Sequence, residues 1–194
     1  MPAEPTRVTA TEVLAEGWGT LRRHTLANGQ TREVYDHGHA AACLAHDPAR
    51  GTVLLVRQHR VPIALHGADL PGDAPEVGVG GGMSIEAPAG LIDEGETPPE
   101  AMAREMEEET GHRVRDLTQV ADLFASPGSL SERMMLFTAT YGPDTKVGEG
   151  GGLAGEGEDI EIIETPLDEA VRMVEDGRIR DLKTAYLVLR HARA

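Results

Sequence analysis

Three stretches near the start of the chain alternate apolar and polar residues, at 8–15, 18–26 and 31–35, with Asn28-Gly29 between the second and the third. Alternation with a period of two predicts half-buried strands, and an Asn-Gly pair between two such runs predicts a hairpin. Three short strands are marginal alone. Residues 1–37 are therefore expected to form a small antiparallel β subdomain that leans on the rest of the chain or on a second subunit. From residue 39 the pattern turns more apolar. AAACLAH and TVLLVRQHRVPIAL, joined by the turn at 47–51, predict two central antiparallel strands of a main sheet.

Residues 66–82 show neither period, and such a loop is read as a flexible insertion beside a site or as disordered filler. An apolar strand at 84–88 and a tight glycine loop at 90–95 lead into a helix. Thr97-Pro98-Pro99-Glu100 offers a capping box with proline at the first helical position, and Gly111 offers the stop. Strands are expected at 117–124 and 134–140, with a Ser126-Pro127-Gly128 turn between them. The stretch 142–159 is glycine-rich and acidic, either a floppy surface loop or a mobile arm carrying Glu156, Glu158 and Asp159 at its end, motion that glycine permits. A strand at 160–163 follows, then a helix begun by Thr165-Pro166 and ended by Gly177, and a second opened by Asp181. The charges Arg178, Arg180, Asp181 and Lys183 read as solvated connectors. Strands with intervening helices and no internal repeat predict an α/β/α sandwich around a mixed sheet over residues 38–194, so the fold class is α/β.

Composition narrows the partners. A chain of 194 residues with 40% hydrophobic and 26% charged content can bury one sizeable core. Its net charge of -15 argues against nucleic acid or an anionic membrane, whose phosphates call for Lys and Arg. Cys43, the single cysteine, lies in an apolar run and reads as buried packing, which suits a reducing compartment. With no secretory pattern at the start and no apolar run near the ~20 residues a bilayer requires, a cytoplasmic location is expected.

The chemistry concentrates on the helix at 98–110. Glu105, Glu108 and Glu109 fall at i, i+3 and i+4 and share one face. Like charges so placed destabilise a helix by roughly 0.2–0.5 kcal/mol per pair. The bland explanation is a solvated face; the functional one is a hard divalent cation such as Mg2+, which takes oxygen ligands and bridges carboxylates to phosphates.

The stretch GLIDEGETPPEAMAREMEEETGH resembles the Nudix hydrolase signature, with Gly90, Glu96, Arg104, Glu105, Met106, Glu108, Glu109 and Gly111 at its fixed positions and His112 departing where an aliphatic residue is preferred. The resemblance implies a Nudix fold. EAPAGLIDEGE, SPGSLSER with Pro127 sixteen residues past Gly111, and GEGEDIE look like the nucleoside-diphosphate-sugar branch, the ADP-ribose and GDP-mannose pyrophosphatases. REVYDHGHAA, GGGLAGEGEDIEIIE and GRIRDLKTAYLVL are closer to the GDP-mannose enzymes.

On this resemblance, Glu105, Glu109 and the Ala89 carbonyl are Mg2+ ligands, with Mn2+ as a substitute, and Glu108 binds directly or through water. Arg104 holds the glutamates in place. Glu156 is the expected base and Glu158 a further metal ligand. For recognition, Arg60 pairs with a phosphate or is an ordinary surface arginine, Glu132 contacts sugar or base, and Trp18 or Tyr35 supplies a stacking surface. A homodimer, with the N-terminal strands swapped, is implied. A dinucleotide or coenzyme A pyrophosphatase and a non-cleaving nucleotide sensor remain the competing readings.

Overall fold

A computed structural model of the chain describes residues 7–66, 82–153, 155 and 157–193. The N-terminal strands β1 (Val8–Glu16), β2 (Thr20–Leu26) and β3 (Thr31–Asp36) form a separate antiparallel sheet in that order. Gly29 closes the β2–β3 hairpin with φ 82, a left-handed conformation that glycine adopts without penalty. The sheet is attached through the end of β3. Tyr35 N–H donates to Ser129 O at 2.9 Å, Ser131 N–H to Tyr35 O at 3.2 Å, and Ser131 Oγ to Asp36 Oδ1 at 2.8 Å. β1 itself is exposed at every residue but Leu14.

The main sheet runs β10 (Glu161–Pro166), β5 (Thr52–His59), β4 (Ala40–Asp47), β9 (Arg133–Thr140), β8 (Arg115–Phe124) and is mixed, because β4 and β9 are parallel while the remaining pairs are antiparallel. Alternation along β4 divides the core. Ala40, Ala42 and Leu44 face a cluster with Ala170, Met173, Leu187 and Val188 of helices α3 (Leu167–Glu175) and α4 (Leu182–His191). Ala41, Cys43 and Ala45 face Met102 and Met106 of helix α2 (Pro98–Thr110) together with Phe137. Helices cover both faces, which is the expected α/β/α sandwich.

The feature that makes room for a site is a fork. β4 and β5 (Thr52–His59) pair at their hairpin, His46 with Val53 and Asp47 with Thr52. Beyond that, β6 (Met83–Glu86) pairs with β5 and β7 (Ala89–Leu91) pairs with β4, and Cys43 N–H bonds Pro88 O at 3.0 Å. The segment 83–91 therefore wedges between two strands that would otherwise stay paired. It delivers a strand edge to the flank of α2.

Several boundaries differ from the sequence reading. The second apolar run stops being a strand at His59 and turns into helix α1 (Val61–His66), because Pro62 cannot donate to a sheet ladder yet fits a first helical turn. Residues 90 and 91, read as the start of a loop, belong to the strand Ala89–Leu91. Thr165 and Pro166 finish β10 (Glu161–Pro166) instead of starting a helix. The insertion reading at 66–82 falls largely outside the described residues. At Thr97 the reciprocal cap is one-sided: Glu100 accepts from the Thr97 N–H at 2.9 Å and from its hydroxyl. His112, the departure from the signature, is accommodated by a polar partner, with Nδ1 2.8 Å from Thr145 Oγ1 and its ring edge-on to Tyr141 at 5.3 Å.

Gly111 ends α2 at φ 70, and a Cβ there would lie 2.2 Å from Gly148 O. Gly111→Ala is therefore expected to cost more than the ~1 kcal/mol of a left-handed alanine, read as a lower urea midpoint at unchanged m value.

Candidate active site

Two carboxylates of α2 lie directly on the backbone of β7. A Cβ on Gly90 would sit 1.9 Å from Glu105 Oε1, so no side chain fits at 90 while Glu105 holds its place. One turn on, Glu109 Oε2 accepts the Ala89 N–H at 3.0 Å and is 1% exposed. Arg104 binds the group from the solvent side. Its Nε and Nη2 reach the two oxygens of Glu96 at 3.1 Å each, and Nη2 also donates to Leu91 O at 3.1 Å. Its Nη1 bonds Glu105 Oε1 at 2.7 Å and Glu108 Oε2 at 3.0 Å. One guanidinium thus ties the loop after β7 to two of the helix glutamates.

Burial dominates the electrostatics of the two helix carboxylates. Burial pushes the Glu109 carboxyl up to about 8, against the Ala89 N–H and with help from the negative charges of Glu105 and Glu158. Burial raises Glu105 as well, opposed by Arg104. Hydrogen bonds to Arg104 instead pull Glu96 down. Two buried carboxylates with oxygen-only donors, one of them bonded to a single backbone N–H, suit a hard divalent cation. Among the described residues no three His, Cys, Asp or Glu converge into a closed cluster. An open set of this kind fits an ion that keeps several of its own waters.

A cavity of about 770 Å³ is lined by Ala89, Gly90, Arg104, Glu105 and Glu158, and also by Trp18, His37 and Glu132. Trp18 is 74% exposed at the mouth, where Phe124 and Leu182 also present apolar surface. Tyr35 is not among the lining residues; its ring lies 5.4 Å behind that of His37. Glu132 is half-buried, and the desolvation pushes its carboxyl up, with His37 Nε2 at 3.9 Å. Glu158 accepts the Leu153 N–H at 2.9 Å. Glu108 and Glu109 are not among the lining residues, and Glu156 lies outside the described residues.

Arg60 lines the cavity, but its fork already grips Glu86, with Nε to Oε1 and Nη2 to Oε2 both at 3.0 Å. Glu86 is also bonded by Lys183 Nζ at 2.7 Å, and Lys183 lies 3.0 Å from Asp181. Burial opposes the charge on Glu86, yet the bonds from Arg60 and the charge of Lys183 overrule it and hold the carboxyl at about 2. Reading Asp181 and Lys183 as solvated connectors is therefore corrected. Asp181 caps α4 by accepting the Thr184 N–H at 2.9 Å, and both residues line the cavity. The available signal was Glu86, a lone charge inside an apolar strand. His37 and Phe124 gave no comparable sign.

A sandwich that presses a glutamate-bearing helix onto a glycine strand beside an open cleft suits a hydrolase of phosphorus-containing anhydrides. The chain belongs to the Nudix family, as the NUDIX domain matches residues 36–185. It is 37% identical to a GDP-mannose pyrophosphatase of Pectobacterium atrosepticum over 98% of this chain and 95% of the relative. It is 38% identical to a GDP-mannose pyrophosphatase of Yersinia enterocolitica over 91% and 90%. A solved structure described as an ADP compounds hydrolase superposes with a TM-score of 0.74 at 21% identity, covering 100% of this chain and 95% of its own, and shows the shared fold.

Gly90→Ala should displace the Glu105 carboxylate and weaken Mn2+ binding about tenfold or more, followed by electron paramagnetic resonance, while Gly128→Ala, where a Cβ meets nothing within 4 Å, stays as wild type. The metal-free protein should also lose stability with rising pH. Glu109 keeps its proton up to about 8 when folded and releases it near the ordinary value of 4.5 when unfolded. The stability present below about 4.5 is then lost as pH climbs through about 8. Calorimetry with chelator showing a flat or rising melting temperature over that window contradicts the assignment.

Proposed function

We propose that the chain hydrolyses the diphosphate of a nucleoside-diphosphate sugar, GDP-mannose in preference to ADP-ribose, releasing a nucleoside monophosphate and a sugar phosphate. The observation that carries this reading is the placement of Glu105 and Glu109 against β7 beside a cleft of about 770 Å³, within the usual range for small-molecule sites. The GDP-mannose pyrophosphatases at 37 and 38% identity support the choice of sugar nucleotide.

Glu105, Glu109, the Ala89 carbonyl and Glu158 are the groups that hold the divalent cation, Mg2+ with Mn2+ as a substitute, and Glu108 joins them directly or through water. Bound there, the metal neutralises the diphosphate and lowers the pKa of water. Arg104 keeps the carboxylates oriented through its bonds to Glu105, Glu108 and Glu96. Glu156 takes the proton of the attacking water, which adds to one phosphorus as the bridging oxygen leaves with the other phosphate. Arg60 faces the phosphates from the cleft wall, Trp18 stacks on the base, Tyr35 supports that surface through the His37 ring between them, and Glu132 accepts a hydroxyl or base N–H.

Residues 38–194 form the hydrolase unit and residues 1–37 a dimerisation unit, swapped onto a partner. The exposure of β1, with Val8 and Val13 each 50% exposed, supports a homodimer. The net charge of -15 supports a partner list without nucleic acid. Among the described residues no helix is long and apolar enough to cross a membrane, and the cytoplasm is the proposed location.

Release of nucleoside monophosphate from GDP-mannose and ADP-ribose, measured side by side with Mg2+, tests the reading. Glu156→Gln is expected to lower kcat by about 10²–10⁴-fold, the usual contribution of a positioned base, and Glu109→Gln to abolish metal-dependent turnover. A preference for ADP-ribose would reassign the substrate, and failure to cleave either would overturn the reading. Light scattering should give a dimer, and a fully active monomer would refute the swapped arrangement.

A further inference from the structure

A helix leaves its last carbonyls without intrahelical donors, and at the end of α2 these are satisfied in a particular way. Gly111 N–H reaches Glu107 O at 2.9 Å and His112 N–H reaches Met106 O at 3.4 Å, both within the turn that stops the helix. The remaining donors come from the glycine-rich stretch far along the chain. Gly152 N–H bonds Glu108 O at 3.1 Å and Gly151 N–H bonds Glu109 O at 2.8 Å. Lys146 Nζ bonds Thr110 O at 3.1 Å, while Val147 and Gly148 N–H bond Gly111 O at 2.8 and 3.1 Å.

The glycines here serve contact. A Cβ on Gly150 would lie 2.5 Å from Thr110 C, and one on Gly152 would lie 2.5 Å from Glu158 Oε2. Both residues also have positive φ, 73 and 79. The same stretch grips Glu158 from its other side. Leu153 N–H bonds Glu158 Oε2 at 2.9 Å, Glu158 N–H bonds Leu153 O at 3.4 Å, and Ile160 N–H bonds Gly151 O at 3.2 Å. Lys146 Nζ closes the stretch on itself at Glu149 O, 3.2 Å away. The expectation of a glycine arm that swings Glu158 inward does not describe residues 146–153, which are bonded in place.

The geometry points to residues 146–153 as a splint between the glutamate helix and the distal acidic segment, with Lys146, Gly151 and Gly152 as positioning residues that act through Glu158. The splint bonds the peptide carbonyls of Glu108 and Glu109 themselves. A hydrogen bond weakens steeply once its distance or angle departs from the preferred range, so several in parallel fix one segment against the other. The separation of Glu158 from the helix carboxylates is thereby set before any ligand arrives. The inference rests on the proposed role of Glu158 as a metal ligand.

Mn2+ titration of the metal-free full chain, followed by electron paramagnetic resonance, tests it without reference to turnover. Glu158→Gln and Gly152→Ala should each weaken Mn2+ binding about tenfold, as loss of a ligand's support does. The double variant should be no weaker than either single one, because both changes remove the same interaction. Lys146→Met should weaken binding and Lys146→Arg restore it, which keeps the test open if Gly152→Ala does not fold. Gly155→Ala, where a Cβ meets nothing within 4 Å, should match wild type. Additive losses in the double variant, or a Gly152→Ala protein that melts early yet binds Mn2+ normally, overturn the splint. Normal Mn2+ binding by Glu158→Gln removes Glu158 as a ligand, and the splint with it, while leaving hydrolysis at Glu105 and Glu109 standing. A wild type that binds no Mn2+ brings down the metal reading itself.

Discussion

Carboxylates buried against a strand edge repel one another and lose their hydration, and Glu105 and Glu109 incur both costs at the contact between α2 and β7. Much of the surrounding structure follows from making that contact possible. The main sheet has to open between β4 and β5 so that residues 83–91 can enter. The entering strand needs a residue without a side chain where Glu105 lands, and it has Gly90 there. A guanidinium has to share its bonds among Glu96, Glu105 and Glu108, and Arg104 does so from the open side. The helix has to be held firmly at its far end, where Gly111 and the glycine-rich stretch complete its hydrogen bonds.

The cleft separates two electrostatic treatments of buried charge. At the α2 end the acids outnumber their cationic partners, and the Glu105 and Glu109 carboxyl groups are pushed upward. At β6, Glu86 is enclosed by Arg60 and Lys183 and is held firmly ionised. The first arrangement is poised to take up positive charge. With Asp181 on Lys183, the second is close to neutral and braces the cleft by joining β6 to the start of α4. Removing one member of such a buried group is far costlier than the group is stabilising, because it strands the others.

Local order was legible in the sequence, and order made by distant partners was not. The helix at 98–110 announces itself through Pro98, Glu100 and Gly111, and its glutamates through their spacing. The N-terminal hairpin is visible from Asn28-Gly29 and the alternation around it. The division of β4 into two faces follows from a period of two. By contrast, Glu86, the buried carboxylate that Lys183 bonds, is 97 residues away, so the neighbouring sequence does not mark Lys183 as buried. Helix α1 was hidden in a continuous apolar run in which only Pro62 hinted at a break. The glycines at 150–152 were visible as glycines, but their sequence suggests freedom, whereas the folded chain uses them for close approach.

Cys43 lies in β4 at the root of the fork, wholly buried and bonded through its N–H to Pro88 O. Burial pushes its thiol well above the ordinary range. A reagent in solution can reach that sulfur only after β7 and α2 have parted from β4, so the rate at which this single thiol is modified times the opening of the scaffold that holds the acidic site. Because Cys43 is the only cysteine in the chain, a second one placed on the surface could carry a label without competition from it.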